Sequence, residues 1–301
     1  MLSKLNMAIA AAAMILFCIG CGRSENAASG EKRAVCGLPP VAFIAEQIGG
    51  GKFAVSSMLP EGRSPHDYSP RPADVRNAGQ AKFFFTTGMN FENNAVKSLP
   101  SAVKVVDVST KIKRRPFDDG HGSCDGHGDD HHHHGEESLD PHVWLSPANA
   151  ILIGEVIRDA MSEADPENRE FYHENFNKLK KQFEDADADM KKRLAPYAGR
   201  EILVYHPAFG YFADVVKLRQ CPLEINGREM TAVQLANVIA KAKKENIKVV
   251  FVQKQFNPRL AGELARRIGG KALPLDPLAH DLPGNFKAMT DAVAQGFGGG
   301  E

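Results

Sequence analysis

"ENREFYHENFNKLKKQFEDADADMKKRL", residues 167–194, decides how the chain is laid out. Apolar or aromatic side chains stand at positions 171, 172, 176, 179, 183, 186, 190 and 194, with charged residues filling the gaps. Steps of three and four residues put all of them on one stripe of an α-helix. No Pro or Gly interrupts the pattern, so the segment predicts a straight rod roughly 40 Å long, about the width of a domain. Asp165-Pro166 opens it. A preceding helix is predicted from Ser146-Pro147, a Ser N-cap with Pro in the first turn, to about residue 164.

On both sides of this rod, short apolar runs alternate with amphipathic ones. Before it, strands are predicted at 34–37, 53–59, 82–86 and 103–108, with helices at 40–48, 72–78 and 91–99. After it, strands are predicted at 201–205, 223–226, 249–252 and 272–275, with helices at 210–217, 231–245 and 258–268. Alternation of this kind implies parallel sheets covered by helices. The expected fold class is therefore α/β: two Rossmann-like lobes with parallel sheets, joined by one long helix. The expected layout is an N-terminal lobe at 33–145, connecting helices at 146–199 with the strut at 166–195, and a C-terminal lobe at 200–301.

The first residues do not belong to this pattern. A basic start at 1–4 leads into an apolar run at 7–20, too short for a permanent membrane span but suited to a secretory signal. The run ends in Cys18-Ile19-Gly20-Cys21, which resembles a bacterial lipobox with Cys21 as the lipidated residue and Cys18 in place of the usual leucine. A cleaved, soluble extracytoplasmic form is the alternative. Residues 1–20 then read as signal and 21–32 as tether. Of the five cysteines, Cys36 and Cys221 lie in apolar contexts and read as buried free thiols. The 37 basic and 37 acidic side chains leave no net charge, which argues against a nucleic-acid partner.

Six of the eleven histidines lie in one acidic, Gly-rich segment at 118–137. Such a composition cannot bury apolar area, so it predicts a loop ordered only by what it binds. His121, Cys124, His127, His131, His132, His133 and His134 are its candidate ligands, for metal ions held at lower affinity. The run is internal and grades into HGSCDGHG, unlike a terminal tag. The remaining histidines are His66, His142, His173, His206 and His280. His66 follows the second strand, His206 ends a strand, and His142 follows the last loop of the first lobe. Asp276 ends the final strand. Ligands of open α/β sheets collect beyond the carboxyl ends of strands, so these four can converge in an interlobe cleft. Three imidazoles and one carboxylate suit a four-coordinate zinc ion. His173 and His280 read as surface residues.

"GRSPHDYSPRPADV", "AKFFFTTGMNFE", "DPHVWLSP", "YHPAFGYFA" and "LDPL" occur in this order across roughly residues 33–290. Together they resemble the metal-binding receptors, periplasmic or lipid-anchored, that serve ABC importers, and in particular the zinc-uptake branch with its His- and acid-rich loop. The resemblance implies an extracytoplasmic zinc receptor that passes Zn2+ to an ABC permease driven by a cytoplasmic ATPase, with the chain as a monomer. Carried over by residue, it implies His66, His142, His206 and Asp276 as the metal site. Pro65 and Gln253-Lys254 stand where acidic residues are common. A manganese or other divalent-metal receptor or adhesin of the same fold is the alternative; manganese members tend to carry a carboxylate where His206 stands, and nitrogen there favours zinc. A zinc hydrolase would need an open metal position and a general base, and no HExxH occurs. An uninterrupted strut predicts small lobe motions, with release through local loop movement. Since imidazoles bind metal only when neutral, affinity is expected to fall below about pH 6.5.

Overall fold

Four short strands, β1 (Arg33–Cys36), β2 (Ala54–Ser57), β3 (Phe83–Thr86) and β4 (Lys104–Asp107), make a sheet in the order β2-β1-β3-β4 with every pair parallel. Phe83, Phe84 and Phe85 are all fully buried. Consecutive buried residues mark a strand covered on both faces, as a parallel sheet requires. The connections carry α1 (Pro39–Gly49), α2 (Pro72–Ala78) and α3 (Asn90–Val96). The structure is a computed structural model, and it describes residues 32–117, 139–225, 228–255 and 258–298. The expectations for the signal, Cys21 and the His-rich loop fall outside those residues.

Two helices follow, α4 (Pro147–Ala164) and α5 (Arg169–Leu194). Ser146 caps α4 as the sequence implies, its side chain accepting from the Asn149 N–H. The rod begins slightly later than expected, because residues Pro166–Asn168 form a 3-10 turn before the 26-residue α-helix. Its last turn carries Lys191, Lys192 and Arg193, which favour the negative end of the helix dipole.

A second sheet contains β5 (Glu201–Val204), β6 (Arg219–Pro222), β9 (Val249–Val252) and β10 (Lys271–Pro274), all parallel, in the order β10-β9-β5-β6. Numbered along the chain, its strands run 2-1-3-4, as in the first sheet. Both sheets therefore have a crossover between their first and third strands, where the connections diverge and ligands gather. Helices α6 (Gly210–Val216), α7 (Ala232–Lys244), α8 (Pro258–Arg267) and α9 (Leu282–Gly296) surround this sheet, and β7 (Glu224–Ile225) pairs with β8 (Arg228–Glu229) as a small antiparallel ribbon.

Two elements were not foreseen, and one expectation needs correction. The strand expected at 223–226 is the short β7, whereas the parallel strand β6 before it was not expected; Arg219-Gln220-Cys221-Pro222 looks polar and contains Pro, which only an edge position such as this tolerates. α9 had no counterpart in the reading, although Asp281 caps it and Pro283 sits in its first turn. Cys36 is a buried free thiol, but Cys221 is disulfide-bonded, with its partner outside the described residues. Bonding requires two Cβ atoms about 4 Å apart, a condition that sequence context cannot reveal.

The stripe on α5 joins the two halves. Tyr172, Phe176, Leu179, Phe183, Met190 and Leu194 are buried. Tyr172 packs 6.1 Å from Phe53 beside the first sheet, while Phe183 packs 6.2 Å from Phe286 of α9. Where α1 ends, Gly50 has φ 52°, and a Cβ there would sit 2.6 Å from the Phe171 ring. Only glycine fits both conditions. One apolar cluster runs from Phe83–Phe85 of the first sheet through α5 to Ile202, Val204 and Phe251 of the second. A smaller cluster lies between the second sheet and α7 and α8. Among the described residues no helix is long and apolar enough to cross a membrane.

Truncating this seam has a defined cost. Phe183→Ala is expected to destabilise the protein by about 3–5 kcal/mol. Urea unfolding measures it, and a loss below about 1 kcal/mol would show that α5 does not hold the two sheets together.

Candidate metal centre

Each of three histidines is fixed by a different part of the chain. His66 lies in the turn region after β2, its backbone N–H directed at Ser64 Oγ at 3.3 Å. His142 precedes the buried 3-10 turn Val143–Leu145. There the fully buried Trp144 donates from Nε1 to the Pro277 carbonyl at 2.6 Å, tying this turn to the segment after β10. His206 lies two residues past β5. The buried Gln253 amide donates to the His206 carbonyl at 2.8 Å and accepts from the His206 N–H at 3.3 Å.

These anchors bring the three rings together. His66 Nε2 lies 3.2 Å from His142 Nε2 and 3.0 Å from His206 Nε2. One ring nitrogen from each of the three lies within 4.8 Å of the others. A tetrahedral ion with metal–nitrogen bonds of 2.0–2.1 Å has nitrogen–nitrogen edges of about 3.3 Å. The two separations from His66 are close to that edge, and the third lies within 4.8 Å, so one dication can bridge the nitrogens after a modest adjustment.

The outward nitrogens of two rings face carboxylates. His142 Nδ1 lies 2.8 Å from Asp140 Oδ1, which also accepts the His142 N–H at 3.0 Å. Asp140 is fully buried, and its other oxygen meets Arg115 Nη1 at 3.3 Å. Arg115 continues to Asp214 at 3.0 Å. The guanidinium lies so close to α6 that a Cβ on Gly210 would be 1.8 Å from it. His206 Nδ1 lies 3.3 Å from Glu224 Oε1. A proton held on Nδ1 by a carboxylate leaves the Nε2 lone pair directed inward, the arrangement found around metal-bound imidazoles.

Electrostatics keep His66 and His142 in the metal-binding form. Burial, with the His142 and His206 rings alongside, pushes the His66 imidazole down to about 3. His66 as a residue is exposed, yet its ring sits 4.5 Å from that of His206 and 5.3 Å from that of His142. Burial also lowers His142, against the opposing pull of Asp140. His66 is therefore neutral well below the usual imidazole range, and His142 is shifted in the same direction, as coordination requires.

Not every expected residue joins them. Asp276 is outside the group of converging side chains. Its Oδ2 pairs with Lys254 Nζ at 3.2 Å, and its Oδ1 accepts from the Leu278 N–H at 3.0 Å and from Gln255 Nε2 at 3.4 Å. The loop candidates, His121, Cys124, His127 and His131 to His134, lie outside the described residues. His173 is half-buried on α5 instead of fully solvated. His280 is at the surface, as expected, where Nε2 meets Glu46 at 2.9 Å. Asp140, Arg115 and Glu224 were not singled out by the sequence, and Gln253 was named only as standing at a commonly acidic position. Asp140, two residues before His142, offered a local signal. Glu224 comes from elsewhere in the second half of the chain and offered none.

A cavity of about 460 Å3 opens on one side of the cluster, lined by His66, His206, Glu224, Arg114, Phe117 and Leu139 among others. The model of the zinc-uptake complex component A family, described as periplasmic, matches residues 35–296. This chain belongs to that family. It is 28% identical to the high-affinity zinc uptake system protein ZnuA of Yersinia pestis, over 82% of this chain and 83% of that one. It is 30% identical to the zinc-binding protein AdcA of Streptococcus pyogenes, over 88% of this chain but only 54% of that longer protein. A crystal structure of ZnuA superposes with a TM-score of 0.79 at 29% identity, covering 88% of this chain and 99% of that one.

The carboxylate behind His142 can be tested separately from the ligands. Asp140→Asn removes the charge that orients the ring and is expected to weaken divalent-metal binding about 10–100-fold. Calorimetric titration that finds affinity unchanged would rule out an orienting role for Asp140.

Proposed function

We propose that this protein is an extracytoplasmic receptor that binds one zinc ion through His66, His142 and His206 and hands it to an ABC permease powered by a cytoplasmic ATPase. The observation that carries this reading is the approach of three imidazole Nε2 atoms, two of the contacts at 3.0 and 3.2 Å, from three separate regions of the chain. Membership of the zinc-uptake family supports it. Imidazole is a good ligand for zinc, whereas manganese prefers oxygen-rich sites. Zinc is cargo here, and the protein is a receptor rather than an enzyme.

Anchoring through Cys21 would hold the receptor at the membrane, and the residues of 118–137 would gather further zinc ions at lower affinity. The flanking residues Phe117 and Leu139 both line the cavity beside His66 and His206. That position favours a role for the His-rich segment in passing ions to the tight site. The continuous apolar cluster across both sheets favours release by local movement of the ligand-bearing loops over wide separation of the lobes.

Zinc titration of the full chain is expected to give one tight site and additional weaker ones. Deleting 118–137 removes the weaker sites, and His206→Ala weakens the tight site on the order of 100-fold or more, since even partners behind a ligand contribute up to that much. A chain that binds many equivalent ions and keeps them after His206→Ala would instead be a storage protein.

The pH response follows from the lowered imidazoles. The expectation of metal loss below about 6.5 is revised for His66 and His142, because protons compete for them only at lower pH. In the metal-free protein the unfolded chain takes up protons below about 6.5 that folded His66 refuses until about 3. Stability from this source is complete above about 6.5 and declines as pH falls from there towards 3. Thermal unfolding of the metal-free protein between pH 7 and 4.5 should show this decline, with a shallower slope in His66→Asn. Equal slopes in the two proteins would contradict it.

A further inference from the structure

A second, much smaller cavity of about 20 Å3 lies against the same cluster, lined by His66, His142, His206, Trp144 and Gln255 among others. Its volume is that of a single water site, since one water needs roughly 10–15 Å3 by this measure. Three imidazoles leave one position of a tetrahedral ion to fill. The side-chain oxygen of Gln255 is buried and has no hydrogen-bond partner among the described residues. A buried acceptor left unpaired is costly, and a metal-bound water is a strong donor. The other end of the same amide is engaged, with Nε2 directed at Asp276 Oδ1 at 3.4 Å.

We propose that the fourth ligand of the metal is a water seated in this cavity and held by Gln255 Oε1, and that Lys254 keeps Asp276 from taking its place. Three groups restrain Asp276: the Lys254 ammonium, the Leu278 N–H and the Gln255 amide. Lys254 and Gln255 thus act together. The lysine neutralises the carboxylate outside the site, and the glutamine accepts a hydrogen bond from the water inside it. The donor set stays at three nitrogens and one neutral oxygen, which suits zinc. Admission of an anionic carboxylate would move it towards the oxygen-rich set that suits manganese. Lys254 is on this view a specificity-determining residue, and Gln255 a positioning residue for the bound water.

The proposal rests on the zinc-receptor reading above, and titrations of the full chain with zinc and manganese separate the two. If the unaltered protein binds no zinc at a tight single site, the receptor reading itself fails. If it does, Asp276→Asn should leave zinc affinity within about fivefold, because Asp276 is not a ligand, whereas Gln255→Leu should lower it by about tenfold or more, as for other partners of a bound group. Lys254→Ala should free Asp276 and raise manganese affinity about tenfold or more, a gain abolished in Lys254→Ala with Asp276→Asn. Cobalt bound in place of zinc provides a readout independent of affinity. Its visible spectrum should change in Lys254→Ala and revert in the double variant. Loss of zinc affinity beyond about fivefold in folded Asp276→Asn would make the aspartate a ligand and overturn the proposal. An unaltered zinc affinity in Gln255→Leu, or an unaltered manganese affinity and cobalt spectrum in Lys254→Ala, would overturn it equally.

Discussion

The packing of one helix stripe against both sheets is the constraint on which the rest of the molecule depends. Six buried residues of α5 bridge from Phe53 at the first sheet to Phe286 of α9. The resulting apolar cluster is continuous from one sheet to the other. Protein interiors packed at crystal density transmit displacement instead of absorbing it. Three side chains separated by up to 140 positions along the chain can then approach to about 3 Å because the frame beneath them is a single body.

The repeated strand order puts those side chains in the right place. Each sheet has its crossover between the first and third strands, and the carboxyl ends of strands there are where α/β folds collect ligands. His206 follows the first strand of the second sheet, and His66 lies in the long connection leaving the second strand of the first. His142 comes from outside either sheet, held by the Trp144 bond to Pro277. That bond also links the entrance of α4 to the segment after β10, so the position of His142 is set from both halves. The charged groups behind the rings do the electrostatic part. Asp140 and Glu224 each face an Nδ1, and burial disfavours the protonated state that would set His66 and His142 against each other.

Much of this was legible in the residues because it depends on local pattern. The periodicity of α5, the caps of α4 and the buried Phe83-Phe84-Phe85 run each determine a structure within a few turns of chain. β6 was missed because an edge strand can contain Arg and Pro, residues that argue against a central one. The three histidines were named from strand-end logic and family motifs, and the structure brings their nitrogens together. Asp276 was named by the same reasoning, yet its carboxylate is paired with Lys254, a contact that depends on where two turns meet. The bonding of Cys221 and the approach of Glu224 to His206 are of this second kind too. Both are tertiary facts with no local signature.

A receptor must hold its ion firmly and still release it, and these requirements pull the structure in opposite directions. Rigid outer partners raise affinity by sparing the rings any reorganisation on binding. In this protein they are unevenly distributed. His142 is buried behind Asp140, and His206 has both backbone groups clasped by Gln253. His66 is the exposed member of the trio, in a turn where its backbone N–H meets Ser64 Oγ at 3.3 Å. Moving His66 disturbs neither sheet, since its turn lies outside the apolar cluster, whereas moving either of the others breaks buried hydrogen bonds. The least costly way to open the proposed site is therefore to withdraw His66. That leaves two ligands, too few to retain a dication in competition with water, while the frame that must bind the next ion stays intact.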